Sequence, residues 1–302
     1  MAREKANVCE PSYIKLLARG VLQERVRQAY ERLRACDLCG HRCRVDRLED
    51  HRGFCRTGYL PLVASYGPHF GEEAPLVGHG GSGTIFFSYC NLKCLYCQNY
   101  DISQIGHGQE TTPEELASIM IALQEMGCHN INLVSPTHVV PQILASIALA
   151  AQSGLSLPIV YNTGGYDAPV SMRLLGGIVD VYMPDAKYAD SGIARSLSGV
   201  RCYPAVNRAV LREAQRGIAR RGLLVRHLVL PGNLAGSEQV LSFIAREVSI
   251  DTYINIMEQY RPCHRANEVP QLTRRITRQE HEAVLQTARE LGLWRLDGYW
   301  RP

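Results

Sequence analysis

The sequence predicts an α/β protein built as an open, partial (β/α)6 barrel. Short β-prone runs alternate with helical segments of about 10–15 residues, an order that favours parallel βαβ units with right-handed crossovers. Six such strands are recognisable, too few for a closed barrel of eight strands. A cysteine-rich segment precedes the first of them. The 302 residues, 46% of them hydrophobic and 21% charged, are enough to bury such a core.

Each predicted element has a local signal. Thr112 and Glu115 form a capping box with Pro at the first helical position, which begins a helix that ends near Gly127. Thr277 and Glu280 form a second capping box. Helices are expected at residues 11–35, 112–127, 139–151, 237–247 and 277–292. Strands are expected at residues 84–87, 131–134, 158–161, 178–182, 223–230 and 252–256.

The composition divides the chain near residue 60. Residues 1–60 are predicted to form a small module with one helix and a metal-binding loop region, and residues 61–302 the barrel. The net charge of +4, without a basic stripe, gives no sign of a nucleic-acid partner. No apolar leader begins the chain, and no run reaches the roughly 18 apolar residues of a membrane span. We therefore expect a cytoplasmic protein without a membrane partner.

Seven of the eleven cysteines are clustered, which in a reducing compartment favours metal ligands over disulfides. Cys90, Cys94 and Cys97 form a Cys-x3-Cys-x2-Cys motif directly after the first strand. Three thiolates can hold three corners of a cubane cluster that normally takes four cysteines, which leaves one iron open. Zinc would need a fourth ligand, and the nearest histidines, His79 and His107, stand beside turn-forming glycines. The motif therefore predicts a [4Fe–4S] cluster.

The motif resembles the signature of the radical S-adenosylmethionine (SAM) superfamily, in which the residue before the third cysteine is typically aromatic, as Tyr96 is. Residues 97–99, 161–166, 183–188 and 226–232 resemble the branch related to pyruvate formate-lyase activating enzyme. More narrowly, the chain resembles uncharacterised activase-like proteins that carry an N-terminal cysteine module. The resemblance covers nearly all of residues 36–262 and is much more specific for the chemistry than for the substrate.

The resemblance implies a mechanism and its cofactors. The open iron would chelate the amino and carboxylate groups of SAM. One electron from the reduced cluster, supplied by a donor such as flavodoxin or ferredoxin, would cleave the sulfonium. The resulting 5′-deoxyadenosyl radical would abstract hydrogen from the substrate, so that the cofactor carries the difficult step.

Further SAM contacts are expected at the carboxyl ends of the strands, where barrel enzymes place their sites. Many relatives have a Gly-Gly-Glu motif after the second strand; this chain has Ser-Pro-Thr-His there, and Thr137 is predicted to substitute for it. Asn162 is suited to bonding a ribose hydroxyl. Asp185 and Lys187 resemble the Asp-x-Lys of the activases, near the methionine carboxylate or the substrate. The remaining candidates are Arg226, His227, Asn255 and Gln259.

Structural alternatives exist for several of these residues. Asp185 and Lys187 are also compatible with an ordinary salt bridge. His227 precedes a run of Leu and Val and is also compatible with a hydrogen-bonded strand histidine. Asn162, before Thr-Gly-Gly, is also compatible with turn chemistry alone.

The N-terminal module offers four ligands, Cys36, Cys39, Cys43 and Cys55. A closed set of four thiolates favours a structural zinc site. Thiolates suit a second iron–sulfur cluster equally well, one that relays electrons or binds substrate. Both interpretations stay open at this point.

Three functions are compatible with the sequence. The first is an activase that acts on a backbone glycine of a glycyl radical enzyme, with a protein loop admitted through the gap in the barrel. The second is a radical SAM enzyme that modifies a small molecule or a peptide. The third is a non-catalytic zinc or iron–sulfur protein, which the missing fourth ligand near Cys97 argues against. The first is preferred.

Overall fold

The computed structural model describes residues 10–218 and 221–298. Within these residues, eight strands form one open sheet in the order 3-1-2-4-5-6-7-8. The second strand and the fourth to eighth strands run parallel to one another, whereas the first strand is antiparallel to the second and the third. The strands are β1 Leu62–His69, β2 Ser82–Phe87, β3 Gln109–Glu110, β4 Ile131–Val134, β5 Ile159–Thr163, β6 Val181–Pro184, β7 Gly222–Leu228 and β8 Tyr253–Met257.

Helices follow or precede the parallel strands and cover the outer face of the sheet. Their apolar sides join one large core with the outward-facing strand residues, such as Ile85, Leu133 and Val225. None of the helices within the described ranges is long and apolar enough to cross a membrane. The α-helices are α1 Ser12–Ala18, α2 Val21–Glu31, α3 Ala74–Val77, α4 Pro113–Glu125, α5 Val140–Gln152, α6 Pro169–Leu175, α7 Ser191–Ser198, α8 Tyr203–Glu213, α9 Ser237–Phe243 and α10 Arg278–Glu290.

The predicted fold class is confirmed: the six parallel strands make an open α/β sheet. Both predicted capping boxes are also present, at the start of α4 and of α10. β1 and β3, which add an antiparallel edge to the sheet, were not predicted from the sequence. β1 was missed because Gly67 and Pro68 stand inside it, and proline is tolerated in a strand near a sheet edge. The strand predicted at 178–182 begins later, at Val181. The preceding residue, Asp180, accepts a hydrogen bond from the Ile159 backbone N–H.

The predicted helix at 11–35 is two helices, α1 and α2, because Gly20 between them has a φ of +71° and turns the chain. Leu22 and Ala29 of α2 belong to the same buried core as the barrel. The domain boundary near residue 60 stays a prediction. Residues 1–9, 219–220 and 299–302 of the two predicted parts lie outside the described residues.

The segment between β1 and β2 enters the interior of the barrel. Its helix α3 places Leu76 among Val160, Met183, Leu224 and Tyr253, which face inward from the last four strands. These contacts fill the barrel toward the amino ends of its strands. The space left open lies toward the carboxyl ends, where the cysteine loop follows β2.

Candidate functional site

A cleft of about 510 Å³ opens at the carboxyl ends of the parallel strands. The thiol-bearing loop after β2 forms one wall, with Cys90, Cys94 and Cys97 all lining the cleft. The predicted SAM contacts that line the same cleft come from β5 to β8 and the loops that follow them: Asn162, Asp185, Lys187, Arg226, Asn255 and Gln259. The structure therefore brings together residues that lie up to 169 positions apart in the chain, from Cys90 to Gln259.

Each thiol of the loop has a hydrogen-bonding neighbour. The Leu92 backbone N–H donates to Cys90 Sγ at 3.4 Å. Cys94 Sγ lies 3.0 Å from the hydroxyl of Ser198, and Cys97 Sγ lies 3.2 Å from that of Ser103. Donors of this kind stabilise metal-bound thiolates and tune the reduction potential of iron–sulfur centres.

The three thiols fit an iron–sulfur cluster by donor chemistry and by placement. Burial raises the pKa of the Cys94 thiol to about 12, and that of Cys90 is raised for the same reason. Without a metal these two thiols are therefore protonated at neutral pH, and binding iron releases their protons. Soft thiolates select iron–sulfur clusters over hard cations such as magnesium. Cys90, Cys94 and Cys97 would hold such a cluster at the cleft wall.

A buried chain of hydroxyl groups leads to Cys94. The hydroxyls of Tyr96 and Tyr188 are hydrogen bonded, Tyr188 is 2.6 Å from Ser198, and Ser198 contacts the Cys94 thiol. Tyr96 and Tyr188 stand in the sequence motifs without a role of their own, and no motif marks Ser198. Tyr188 directly follows the Asp-x-Lys run, which was the available signal.

Three charged residues of the cleft form one connected network with Asn162. Asp185 accepts from Arg226 Nε at 3.0 Å and lies 2.6 Å from the Lys187 ammonium. Arg226 also donates to the side-chain oxygen of Asn162 at 2.6 Å. Because all four are largely buried, this network is more than the ordinary surface salt bridge considered from sequence.

The network keeps its members charged. Burial alone would raise the pKa of Asp185, but the neighbouring charges of Arg226 and Lys187 outweigh it, so this pKa lies below its usual value. Burial likewise disfavours the charged form of Lys187, yet the negative charge of Asp185 holds its pKa above the usual range. The cleft thus presents fixed charges beside the cysteine loop.

Thr137 is not brought to the cleft. It is buried, and its hydroxyl bonds Thr163 Oγ1 and Asp167 Oδ1, each at 2.8 Å. Its neighbour Ser135 lines the cleft instead, with a φ of +57° that turns the chain after β4. The expected substitute for the missing Gly-Gly-Glu motif therefore lies outside the cleft.

His227 also lies away from the cleft. Its Nδ1 donates to the Ala186 carbonyl at 2.6 Å, and its Nε2 accepts from the Ser237 hydroxyl at 2.8 Å. Burial lowers the pKa of this ring, so the neutral form persists. Adjacent strand residues face opposite sides of a sheet, so the inward Arg226 requires an outward His227. The structure therefore places His227 on the side of the strand that faces away from the cleft.

Two acidic residues of the cleft were missed by sequence analysis. Glu72 and Glu73 precede α3 and reach the cleft from inside the barrel. Glu73 accepts a hydrogen bond from the Asn255 side chain of β8 at 3.0 Å. No motif marks this pair, because their position depends on the fold of a segment between two strands.

The four cysteines of the N-terminal module line one small void, together with Arg47 and His138. Phe54 N–H donates to Cys43 Sγ at 3.4 Å, and Arg47 Nη1 lies 3.9 Å from Cys36 Sγ. A Cβ on Gly53 would lie 2.8 Å from Cys43 Sγ, so only glycine leaves space for this thiol. The thiols and their donors fit a thiolate-bound metal centre.

The module packs directly against the cysteine loop of the cleft. His41 Nε2 lies 2.8 Å from the Asn91 carbonyl oxygen. The His41 ring stacks on the Phe54 ring, with 3.7 Å between the ring centroids. The Lys93 ammonium stands over the Phe54 ring at 5.7 Å. Within the described residues, no three Cys, His, Asp or Glu side chains already stand in the arrangement of a single-ion site. Zinc and a second cluster both stay predictions for this module.

Metal analysis of a variant without the cleft thiols tests the module. Replacing Cys90, Cys94 and Cys97 with Ala leaves only Cys36, Cys39, Cys43 and Cys55 clustered. Protein purified without oxygen or chelator is expected to retain either zinc near one equivalent or iron with sulfide. Adding Cys39→Ser should remove that metal. Finding neither metal before this last change would contradict both predictions.

Comparison with known proteins places the chain among iron–sulfur proteins that use SAM. Residues 84–244 match the family model described as the radical SAM superfamily. An uncharacterised protein of Methanocaldococcus jannaschii is 34% identical over 268 residues, which are 85% of this chain and 75% of that protein.

Solved structures with similar folds are more distant. SuiB of Streptococcus suis, solved with S-adenosylmethionine bound, is 13% identical with a TM-score of 0.47, over 67% of this chain and 46% of SuiB. HydG, a maturase of the [FeFe]-hydrogenase, is 11% identical with a TM-score of 0.46, over 68% of this chain and 47% of HydG. The chain thus spans less than half the length of these two proteins.

Proposed function

Because the chain belongs to the radical SAM superfamily, we propose that it is an enzyme that cleaves SAM reductively and abstracts hydrogen from a protein or peptide substrate, in the manner of a glycyl-radical-enzyme activase. One observation carries the proposal: three thiols of one loop and a buried charged network line the same cleft. When bound, a [4Fe–4S] cluster on Cys90, Cys94 and Cys97 supplies the electron for SAM cleavage and an open iron for SAM.

The residues of the cleft have separate tasks in this proposal. Lys187 provides a fixed positive charge for the methionine carboxylate of SAM. Asp185 holds Lys187 and Arg226 in place, and Arg226 in turn orients the side chain of Asn162 for a ribose hydroxyl. Gln259, exposed in the segment that follows β8, closes the cofactor side of the cleft.

The partners of the reaction follow from its chemistry. An electron donor such as flavodoxin or ferredoxin is required for the reductive step, and a cytoplasmic location would supply it. The N-terminal module adjoins the cysteine loop through His41 and Phe54. If the module holds a second cluster, it would relay electrons. If it holds zinc, it would stabilise the cysteine loop.

A macromolecular substrate is supported by the open side of the barrel. The sheet ends at β3 on one side and at β8 on the other, so the cleft is accessible between its edges. A small-molecule substrate is the second candidate, and it is favoured by the cleft volume, which lies within the roughly 300–1,000 Å³ of ligand pockets.

A deuterium-transfer experiment separates the two candidates. Extract from cells grown on deuterated medium is fractionated by size, and each fraction is incubated with the enzyme, unlabelled SAM and a reductant. We expect deuterium to pass into 5′-deoxyadenosine from the high-molecular-weight fraction and to be lost after protease treatment. Transfer only from small metabolites would reject the activase-like function and leave the radical SAM assignment standing.

A further inference from the structure

The floor of the cleft carries two buried carboxylates without a strong cationic partner. The Glu73 side chain is 4% exposed; its Oε1 accepts from Asn255, and its Oε2 has no hydrogen-bond partner among the residues that the structure describes. A buried carboxylate oxygen of this kind costs free energy unless something pairs with it. The unpaired oxygen therefore points to a ligand that supplies a positive donor.

Glu72 stands beside it in a similar environment. Its nearest ion-pair partner within the described chain is the half-exposed His69, whose Nδ1 lies 3.4 Å from Glu72 Oε1. Burial raises the pKa of Glu72 above its usual value. The buried Asn132 amide lies near Glu72 but makes no hydrogen bond of ordinary geometry within the described ranges.

Arg226 makes no direct contact that would neutralise the carboxylates of Glu72 and Glu73. Its hydrogen bonds go to Asp185 and Asn162, on the side of the cleft assigned to the cofactor. No ion pair within 4 Å joins it to Glu72 or Glu73 in the described residues. Its positive charge reaches the two glutamates only at longer range.

Apolar side chains form part of the wall above the floor, beside polar residues such as Ser135 and Asn162. Phe86 of β2 and Met257 of β8 line the same cleft as the two glutamates and the cysteine loop. Apolar side chains that share a cleft with buried carboxylates match a flexible alkyl chain with a charged nitrogen at its tip, since such chains bury their methylenes and pair their heads. A bare metal ion would leave these apolar side chains unused. Moreover, Asn255 offers Glu73 its N–H₂ group rather than its oxygen.

We propose that Glu72 and Glu73 form the recognition site for the ammonium of a substrate with an alkylamine chain, either a lysyl side chain of a peptide or a free alkylamine. The proposal rests on the proposed function, because it places the alkylamine of the substrate beside the SAM site. The carbon chain lies along Phe86 and Met257, which brings its methylenes toward the loop of Cys90, Cys94 and Cys97.

Calorimetric titration of the anaerobically purified, SAM-saturated protein tests this site. The probes are Nα-acetyl-lysine methylamide and pentylamine for the two sources, and Nα-acetyl-norleucine methylamide, which lacks the ammonium. At least one amine is expected to bind about tenfold or more tightly than the norleucine probe. Glu73→Gln keeps the shape and the acceptor for Asn255, and it should abolish that preference. Glu125→Gln, an exposed change on α4, should leave it intact.

The two amines distinguish a peptide from a free amine as the source. Equal affinity for the norleucine probe, no binding of either amine, or an unchanged preference in Glu73→Gln would each overturn the proposal. So would a heat of binding with MgCl₂ or KCl in place of the amines, which would assign the floor to an inorganic cation. Formation of 5′-deoxyadenosine, measured in parallel, shows whether the proposed function stands independently of this site.

Discussion

Replacing Asp185 with Asn is expected to destabilise the protein by about 3–5 kcal/mol and to weaken SAM binding. Asp185 is the only carboxylate in the described chain that pairs with both Lys187 and Arg226. Removing one member of a buried ion network leaves the remaining charges uncompensated, and this accounts for the size of the effect. Denaturant unfolding measures the stability, and equilibrium binding of SAM to anaerobic protein measures the second effect.

The exposed pair of Arg278 and Glu282 provides the matched control, since Glu282→Gln also removes one charge from an ion pair. We expect little change there because surface pairs contribute little. Iron content should be unchanged in both variants. An Asp185→Asn protein as stable as the wild type, with the same SAM affinity, would remove Asp185 from both the structural and the binding account.

The same carboxylate has a defined pH dependence. The pKa of Asp185 is lower in the folded protein than in the unfolded chain. Its contribution to the free energy of unfolding is therefore complete at a pH above the unfolded pKa, about 3.9. That contribution is lost as the pH falls through the lower folded value. The difference in stability between the wild type and Asp185→Asn should therefore narrow in acid.

The parts of the site that depend on local sequence were predictable. The three cysteines of the cleft lie within one loop of eight residues, so their spacing alone brings them together. Asn162 and Asp185 were located by the rule that barrel sites gather at the carboxyl ends of strands, and both line the cleft. The order of strands and helices predicted the open sheet for a similar reason, because parallel strands need crossover connections.

The structure differs from the expected placement where the direction of a side chain matters. His227 was grouped with Arg226 although neighbouring residues of a strand face opposite sides, a rule that would have excluded it. Thr137 was placed by position alone, whereas the left-handed backbone of Ser135 sends the chain away from the cleft. Glu72 and Glu73 could not be found from sequence because a tertiary insertion into the barrel places them.

The central claim is that Cys90, Cys94 and Cys97 hold the cluster that cleaves SAM. Wild-type protein reconstituted anaerobically is expected to bind about four iron atoms at this site. It should absorb light at roughly 400 nm, and exposure to air should abolish this absorption. Replacing all three with Ala removes every thiolate ligand that the cleft offers, so SAM cleavage should be abolished rather than reduced. Replacing Cys128, Cys202 and Cys263 with Ala provides a control of equal thiol number outside both clusters.

The most direct measurement is the formation of 5′-deoxyadenosine from SAM under dithionite, with iron determined on the same samples. The wild type and the control triple variant should both form it. The Cys90, Cys94 and Cys97 triple variant should form none, even when its N-terminal module keeps its metal. Formation of 5′-deoxyadenosine by that triple variant would contradict the assignment of the cluster to these three cysteines.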